Sequence, residues 1–120
     1  MRSEIPGTAL SEGDVSQDLA RARRIGRISL GERCLFFQKL LGTSYLPYSQ
    51  ILRAWLRQEE VNARMCCATA NFDQFYLVTD CADGRQRRAH MPDKPSGQAA
   101  LDHIAAHAPE TAIGYVRPQG

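Results

Sequence analysis

From residue 27 onwards, the pattern of apolar and polar positions predicts a series of short β-strands. In RCLFFQKLL, residues 33–41, alternate positions divide between two faces with the period of two that is typical of a strand. Gly31 precedes this run as a turn or bulge, and Gly42-Thr43-Ser44 gives the next turn signal. RMCCATANF, residues 64–72, is small and apolar, which predicts a further strand packed closely against a neighbour.

Asp83-Gly84, between two strand-like runs, is the clearest local signal in the chain. This dipeptide is typical of a type I′ turn, in which both central residues have positive φ. The two-residue loop predicts a register, with Asp80 opposite Arg87, Val78 opposite Ala89 and Tyr76 opposite Met91. The residues that then face the core are Tyr76, Val78, Ala89 and Met91. The opposite face is expected to be half solvated, and it includes Phe75, Leu77, Thr79 and Cys81.

The stretch SYLPYSQILRAWLRQEEV, residues 44–61, fits either a helix or a strand. One helical stripe would contain its apolar residues Ile51, Leu52, Trp55 and Leu56. Its residue types also have high helical propensity. A sheet edge is instead favoured by Tyr45, Leu46 and the break at Pro47. The residues alone leave both interpretations open.

The N-terminal part of the chain is polar and low in aromatic residues. Residues 1–25 are predicted to form an arm with a short helix over residues 14–24. Ser11 and Asp14 resemble a capping box at the start of that helix. Its apolar stripe is thin, so we expect the helix to dock loosely.

A second helix is predicted near the C terminus. Ser96 can cap it, and it runs to about His107 because Pro109 prevents its continuation. Its buried stripe is expected to contain Leu101, Ile104, Ala105 and Ala108. Residues 117–120 are expected to form a frayed tail.

Length and composition indicate one globular domain. A chain of 120 residues, with 43% hydrophobic and 23% charged residues, supports a single core. It contains no run of about 18 apolar residues and no leader pattern at its start, so we expect a cytoplasmic protein. Four cysteines are then expected to be reduced and mostly buried, namely Cys34, Cys66, Cys67 and Cys81.

Several short strands followed by one docked helix predict an α+β domain with a mostly antiparallel, curled sheet. The glycine-rich turns of dinucleotide-binding and P-loop folds are missing from the sequence. The chain also lacks a Ser-His-Asp order, a nucleophile elbow and a convincing pair of carboxylates. We therefore expect no enzymatic activity and no cofactor.

The segment LGERCLFFQKLLGTSYLPYSQILRAWLRQEEV, residues 30–61, resembles bacterial pleckstrin-homology-like (PH-like) domains of uncharacterised function. In those families a glycine-acidic turn precedes an LFF-type strand, and an IPYSxI-type strand follows. The matching positions here are Gly31-Glu32, residues 35–37 and residues 46–51. The resemblance extends over about residues 27–115. It implies a PH-like domain at residues 26–116, with a strongly bent sheet of about six to seven strands, a barrel or split barrel, capped by the C-terminal helix.

The resemblance also implies that residues 49–61 are extended. As a strand, this segment would turn Leu52, Ala54 and Leu56 towards the core. The opposite face would then present Ile51, Arg53, Trp55 and Arg57. A tryptophan between two arginines on an exposed face is typical of an interaction patch.

Arginines make up thirteen of the fifteen basic residues, and arginine is suited to phosphate and carboxylate groups. One cluster contains Arg85, Arg87 and Arg88, and a second contains Arg21, Arg23, Arg24 and Arg27. If the two converge, they form a site for a phosphate-bearing ligand or an acidic partner. The first cluster is partly neutralised by Asp80, Asp83 and Asp93. The net charge of +2 is too small to indicate a nucleic-acid partner by itself.

Binding of inositol phospholipids is not predicted. Eukaryotic PH domains bind these lipids through a basic cluster across their first two strands and the loop between them. Here that loop is Gly31-Glu32, and the second strand offers only Arg33 and Lys39.

His103 and His107 stand four residues apart on the predicted helix, a spacing that can place two imidazoles on one metal ion. They lie away from the apolar stripe, and a third ligand would have to come from elsewhere. Cys66, Cys67 and Cys81 lack the CxxC or Cys-His spacing of a zinc site. We therefore expect a solvated histidine face and no bound metal.

These observations favour a non-catalytic PH-like domain that acts as a protein-interaction or self-association module, with a protein partner or a second copy. The expected binding residues are Arg53, Trp55, Arg57, Arg85, Arg87 and Arg88. The alternative is a small anion-binding or nucleic-acid-binding domain that uses the clustered arginines.

Overall fold

Two sheets and two helices form the part of the chain that the computed structural model describes, which is residues 2–5, 10–40, 42–65 and 68–114. The helices are α1 (Glu12–Arg21) and α2 (Lys94–His107). The strands, in chain order, are β1 (Arg2–Ser3), β2 (Arg23–Ile25), β3 (Ile28–Leu30), β4 (Cys34–Lys39), β5 (Gly42–Pro47), β6 (Ile51–Met65), β7 (Ala68–Cys81), β8 (Gln86–Met91) and β9 (Ala112–Ile113).

The strands belong to two separate sheets. The first sheet has the order β1-β5-β4-β3-β2, and the second has the order β8-β7-β6-β9. Neighbouring strands are antiparallel except for β1 with β5 and β6 with β9. The predicted α+β class is confirmed, but the prediction of one sheet is wrong. A 3₁₀ turn at Tyr48–Gln50 follows Pro47 and directs β6 into the second sheet, and the described strands do not close into a barrel.

The segment that fitted either a helix or a strand is a strand from Ile51 onwards. β6 extends over Ile51–Met65 and pairs with β7 along its whole length. The ladder satisfies the backbone hydrogen bonds of both strands, which outweighs the helical propensity of the residues. The prediction of an extended segment is confirmed from Ile51, whereas the three residues before it form the 3₁₀ turn.

The main core lies between the two sheets, and α2 closes it. The first sheet contributes apolar side chains that include Ile28, Leu35 and Leu46, and the second contributes others that include Leu77 and Met91. From α2 the buried residues are Ala100, Leu101 and Ile104, and Ala108 follows the helix. Ala105 is exposed, so its predicted place in the buried stripe is wrong.

Helix α2 begins earlier than predicted. Asp93 is its N-cap and accepts the N–H of Ser96, so the expectation that Ser96 caps the helix is wrong. A carboxylate cap two residues before a proline at the first turn is a favourable start. The helix ends at His107, as predicted. No helix within the described ranges has the length and apolarity needed to cross a bilayer.

Helix α1 packs on the outer face of the first sheet. Ser11 accepts the N–H of Asp14, which confirms the predicted cap. Val15 is buried in a second apolar cluster with Phe36 and Tyr45. The helix ends at Arg21, and β2 follows it and pairs with β3. The predicted boundary between residues 25 and 26 therefore falls at the turn of this hairpin.

The β7–β8 hairpin differs from its prediction by one residue. The N–H of Cys81 donates to the carbonyl of Arg85, and Gly84 has a φ of 81°, so the loop has three residues with glycine in the left-handed region. The observed pairs are Asp80 with Gln86, Leu77 with Ala89 and Phe75 with Met91. The predicted half-solvated face is wrong, because a shift of one residue exchanges the two faces. Leu77 and Cys81 lie in the main core.

Candidate functional site

Trp55 does not form the exposed patch that the sequence predicts. It lies opposite Val78, and only 7% of it is exposed. Leu52, predicted to face the core, is instead 57% exposed. A bulge between Ile51 and Arg53 leaves Leu52 without a partner in the ladder, so Ile51 and Ala54 both face the main core while Leu52 is exposed. The expected exposure of Trp55 and the expected burial of Leu52 are wrong, whereas Ala54 is buried as predicted.

The outer face of the second sheet satisfies much of its own charge. Arg57 lies 3.0 Å from a carboxylate oxygen of Glu59, and Arg88 lies 3.8 Å from the same oxygen. The Arg88 guanidinium also lies over the ring of Tyr76, 5.1 Å from its centre, and His90 meets that ring edge to face. Because Glu59 neutralises part of the positive charge of these two arginines, less of that charge remains to attract an external anion.

Arg87 and Arg88 face opposite sides of the sheet, since consecutive strand residues alternate. The Arg87 side chain is 13% exposed, and its guanidinium donates to both carboxylate oxygens of Asp83, at 3.0 and 2.9 Å. It also donates to the carbonyl of Glu4 at 2.8 Å. Arg87 therefore joins the β7–β8 hairpin to the segment after β1 and is mostly enclosed by these partners.

The two predicted arginine clusters do not converge. Gly26, in the turn between Arg24 and Arg27, lies against the end of β8, where an added Cβ would approach Pro92 Cδ to 3.1 Å. Arg85 precedes the start of the same strand. Arg85 is therefore separated from that turn by the length of β8, which is about 20 Å, and Arg87 and Arg88 lie along the strand between them.

The second arginine cluster is the more accessible of the two to an external ligand. Its members are all exposed, namely Arg21, Arg23, Arg24 and Arg27. Within the described ranges none of them forms an ion pair, and the Arg24 guanidinium donates to the carbonyl of Gly26. β2, which carries two of these arginines, is an edge strand of the first sheet.

The two α2 histidines stack on one another, with ring centres 4.1 Å apart and planes 15° apart. His103 donates from Nε2 to the carbonyl of Gly31 at 2.7 Å and is partly buried, so its predicted solvated position is wrong. His107 is exposed. Face-to-face rings do not direct their nitrogens at one point, and the described residues contain no group of three or more candidate metal ligands.

Asp18 of α1 holds the loop that begins at Gly31. Its carboxylate is 8% exposed and accepts three backbone N–H groups at 2.6, 3.1 and 3.0 Å, those of Glu32, Arg33 and Cys34. The fit is so close that a Cβ at Gly31 would lie 2.3 Å from the carboxylate. Position 31 therefore requires glycine, because any side chain there would overlap the Asp18 carboxylate.

The carbonyl of Gly31 accepts a second bond, from the Tyr48 hydroxyl at 2.7 Å, beside the bond from His103. Nearby, burial and the Asp18 charge raise the pKa of the Cys34 thiol to about 12. A reactive thiol requires the opposite shift. This group of polar side chains therefore connects α1, the first sheet and α2 through the backbone, and it keeps the thiol protonated. Cys81 is likewise buried and free, while Cys66 and Cys67 lie outside the described residues.

The most prominent surface feature is the β6–β7 pair. β8 pairs with β7 only from Phe75 to Asp80, and β9 pairs with β6 only at Arg53 and Ala54. Residues 59–65 and 68–74, here called the ribbon, continue as a two-stranded ladder that neither β8 nor β9 flanks. The radius of gyration, 15.6 Å, exceeds the value of about 14 Å that is typical of a compact chain of this length, and the longest dimension is 53 Å.

A family model described as "Domain of unknown function (DUF6709)" matches residues 6–118. The chain belongs to the DUF6709 family. Comparisons with curated proteins and with solved structures gave no match.

Sequence patterns in the DUF6709 domain missed Asp18 and the ribbon for different reasons. Asp18 occupies the polar side of a predicted surface helix, where an acidic residue is ordinary. Its partners are 14 to 16 residues away, so no local pattern identifies it. The ribbon had a sequence signal in the small, apolar run of residues 64–72, but the sequence did not indicate that the strand continues beyond its neighbours.

The Arg87 contacts make the stability of the DUF6709 domain fall as the solution becomes acidic. Hydrogen bonds from Arg87 hold the pKa of Asp83 at about 2, below its ordinary value of 3.8. Burial raises the pKa of Glu4, but hydrogen bonds from Lys39 and Ser44 outweigh this effect and lower it. Because these folded-state values lie below the unfolded ones, the stabilisation is present above about pH 4 and is lost as the pH falls towards about 2.

Asp83→Asn is therefore expected to flatten the fall in unfolding free energy between about pH 4 and pH 2. Urea denaturation at a series of pH values measures this slope. Asp102→Asn, which removes an exposed carboxylate from α2, is the matched control and should keep the slope of the unmodified protein. Parallel slopes for the unmodified protein and Asp83→Asn contradict the prediction.

Proposed function

We propose that this DUF6709 domain is a non-catalytic PH-like module that associates with a second copy of itself through the ribbon. The observation that carries the proposal is the extension of the β6–β7 ladder beyond both of its neighbouring strands. A two-stranded ladder alone is marginal in water, and an open strand edge readily accepts another strand. A second copy supplies such a strand with a matching length and register.

The edge of β7 is the better candidate for this contact. Cys81 directs its N–H towards β8, and N–H groups alternate sides along a regular strand. By this alternation, the N–H groups of Asp73, Asn71 and Thr69 are directed away from β6. Two copies related by a two-fold axis can pair these edges in antiparallel fashion, because each copy presents the same surface to the other.

The register of the ribbon supports the same interpretation. It places Val61 opposite Phe72, Ala63 opposite Ala70 and Met65 opposite Ala68. The intervening pairs are polar, and they include Asn62 opposite Asn71 and Arg64 opposite Thr69. A ladder in which residues of one class stand opposite each other specifies its register strongly.

The PH-like part of the proposal is supported by how the second sheet meets the first. The start of β8 contacts the β1 edge through Arg87 and Glu4, and its end contacts the β2 hairpin through Pro92 and Gly26. β8 thus crosses the first sheet from one edge to the other. α2 closes the core, as the C-terminal helix does in the PH-like arrangement that the sequence resembles. The buried, free thiols are compatible with a reducing compartment, and we place the domain in the cytoplasm.

The absence of catalysis is part of the proposal. The Cys34 thiol has a raised pKa, and His103 donates its Nε2 proton to a backbone carbonyl. Asp18 is fully used by backbone N–H groups. Residue types that can act as an acid, a base or a nucleophile are therefore present near Gly31, but their polar atoms stabilise the fold.

Asn71→Pro is expected to weaken self-association about tenfold or more. Proline removes the outward N–H at the proposed contact twice in a two-fold dimer, while it leaves the β6–β7 hydrogen bonds intact. Light scattering after size-exclusion chromatography measures the mass. The unmodified protein should approach twice its monomer mass of 13.4 kDa as its concentration rises.

Asn71→Ala is the matched control, because it alters the same side chain but keeps the N–H, and it should associate like the unmodified protein. Circular dichroism establishes that each variant is folded. A protein that stays monomeric at high concentration overturns the proposal. Equal association of Asn71→Pro and Asn71→Ala excludes the β7 edge as the contact.

A further inference from the structure

Two turns meet at one end of the first sheet. The β2–β3 turn contains Gly26 and Arg27, and the β4–β5 turn contains Leu40. The N–H of Gln38 donates to the carbonyl of Arg27 at 2.9 Å, which places the first turn beside the last residues of β4. We call this region the hairpin end.

Leu40 projects from the hairpin end into solvent. Its relative exposure is 102%, against 57% for Leu52 of β6. Exposed leucines are common singly, but here the leucine occupies a turn that ends a hairpin, where no neighbouring strand can cover it. A side chain in this position can enter an apolar phase without any change in the fold.

Cations lie at the same end of the first sheet as this leucine. Arg24 and Arg27 flank the first turn and are exposed. Lys39 precedes Leu40, and Arg2 of β1 lines the same open hollow of about 810 Å³ as Lys39. Among the ion pairs of the described residues, Lys39 alone of these four has an acidic partner, Glu4 at 2.7 Å.

The combination of residues distinguishes between anionic partners. A nucleic acid uses cations together with aromatic rings for stacking or polar groups for base edges, and a leucine at a turn supplies neither. A bilayer with anionic lipids uses both features, since cations face the headgroup phosphates while an apolar side chain enters the boundary with the acyl chains. The residues of the hairpin end match this second pattern.

We infer that the hairpin end binds the surface of an anionic lipid bilayer, with Leu40 inserted and Arg24 and Arg27 against the headgroups. The contact needs no headgroup-specific pocket, because its cations act through the surface potential. It is separate from the ribbon and goes beyond the proposed self-association. A paired assembly carrying two hairpin ends would bind more tightly than one copy only if both ends reach the same surface.

Co-sedimentation with vesicles tests this inference. The full chain is expected to bind vesicles of phosphatidylcholine that contain phosphatidylglycerol, to bind pure phosphatidylcholine weakly, and to lose binding as salt rises. Leu40→Ser should weaken binding about tenfold through the lost apolar transfer. The double variant Arg24→Ser with Arg27→Ser should weaken it about thirtyfold, through loss of two cations.

Control variants remove the same residue types at other places on the surface, so they show whether binding depends on the hairpin end itself. Leu52→Ser removes the other highly exposed leucine, and Arg85→Ser removes an exposed arginine of the β7–β8 turn; both should bind like the unmodified protein. Asn71→Pro in the same assay keeps the hairpin end intact, so each monomer should retain its binding. All variants are compared at equal folded fraction by circular dichroism.

Four outcomes contradict the inference. The first is equal binding to anionic and neutral vesicles. The second is unchanged binding of Leu40→Ser, which would indicate a general cationic surface without insertion. The third is binding to single-stranded nucleic acid through Arg24 and Arg27 while anionic vesicles are not bound. Loss of vesicle binding by Arg85→Ser to the same extent as by the Arg24 and Arg27 variant would also contradict the assignment of the hairpin end.

Discussion

Asp18→Ala is expected to lower the free energy of unfolding by about 3 kcal/mol. The carboxylate of Asp18 accepts three backbone N–H groups of the loop after Gly31 while almost enclosed. Alanine leaves these donors without a partner in a partly dry site, and unmet buried donors cost more than an average hydrogen bond contributes. The gain from no longer burying a charge offsets only part of this loss.

Urea denaturation at neutral pH measures the change, with two variants for comparison. Asp18→Asn keeps one acceptor oxygen and should give an intermediate loss. Asp14→Ala removes an exposed carboxylate one turn earlier, whose distance to Arg33 is 4.0 Å, and should cost less than about 1 kcal/mol. Equal losses for Asp14→Ala and Asp18→Ala would mean that the loop does not depend on the buried carboxylate.

Phe36→Ala is expected to lower the free energy of unfolding by about 4 kcal/mol. The Phe36 side chain is fully buried between the first sheet and α1, beside Val15 and Tyr45. Truncation removes the apolar contact and leaves a cavity that a helix and a sheet cannot close without shifting together. The loss should also loosen α1, because Phe36 belongs to the cluster on which that helix packs.

Denaturant unfolding gives the total, and hydrogen exchange of the α1 amides gives the local effect. Phe36→Leu, which keeps most of the volume, should lose less than half as much. Leu40→Ala, at the exposed end of the same strand pair, should change the free energy by less than about 0.5 kcal/mol. A loss below about 1 kcal/mol for Phe36→Ala would contradict a packed core between α1 and the sheet.

Local pattern was sufficient to predict several strands, since a period of two is visible within six residues. The prediction of one strand over residues 64–72 is wrong, because β6 ends at Met65 and β7 begins at Ala68. It also predicted the Ser11 cap and the end of α2, because capping and proline exclusion act over three or four residues. The choice of strand over helix for β6 needed more than pattern. Its residues favour both states, and the partner that decides is β7, which follows it in the chain.

Faces were predicted less well than strands. One additional residue in the loop at Asp83 and Gly84 placed Leu77 and Cys81 on the core side, and one bulge near Leu52 exposed that residue. Both events depend on a single residue, whereas the alternation that they interrupt covers many. Trp55 lies on the face opposite Ala54, as alternation predicts, but it is buried there, which the sequence does not indicate.

Contacts between distant residues could not be predicted from pattern. Arg87 and Glu4 are 83 residues apart, and each lies in a sequence context typical of a solvated charge. The arginine clusters were visible in the sequence, but their separation along β8 depends on how the two sheets cross. Leu40 was part of an apolar run, and only the position of the turn made it a surface residue.

The bond between Gly31 and His103 also bears on the order in which a ribosome delivers the chain. His103 follows Gly31 by 72 residues, so α1 and the first sheet leave the exit tunnel well before α2. Until then the inner face of that sheet lacks the Leu101 and Ile104 side chains that cover it. A nascent chain that pauses before α2 therefore presents an apolar surface to chaperones, and folding is completed only after translation has passed this helix.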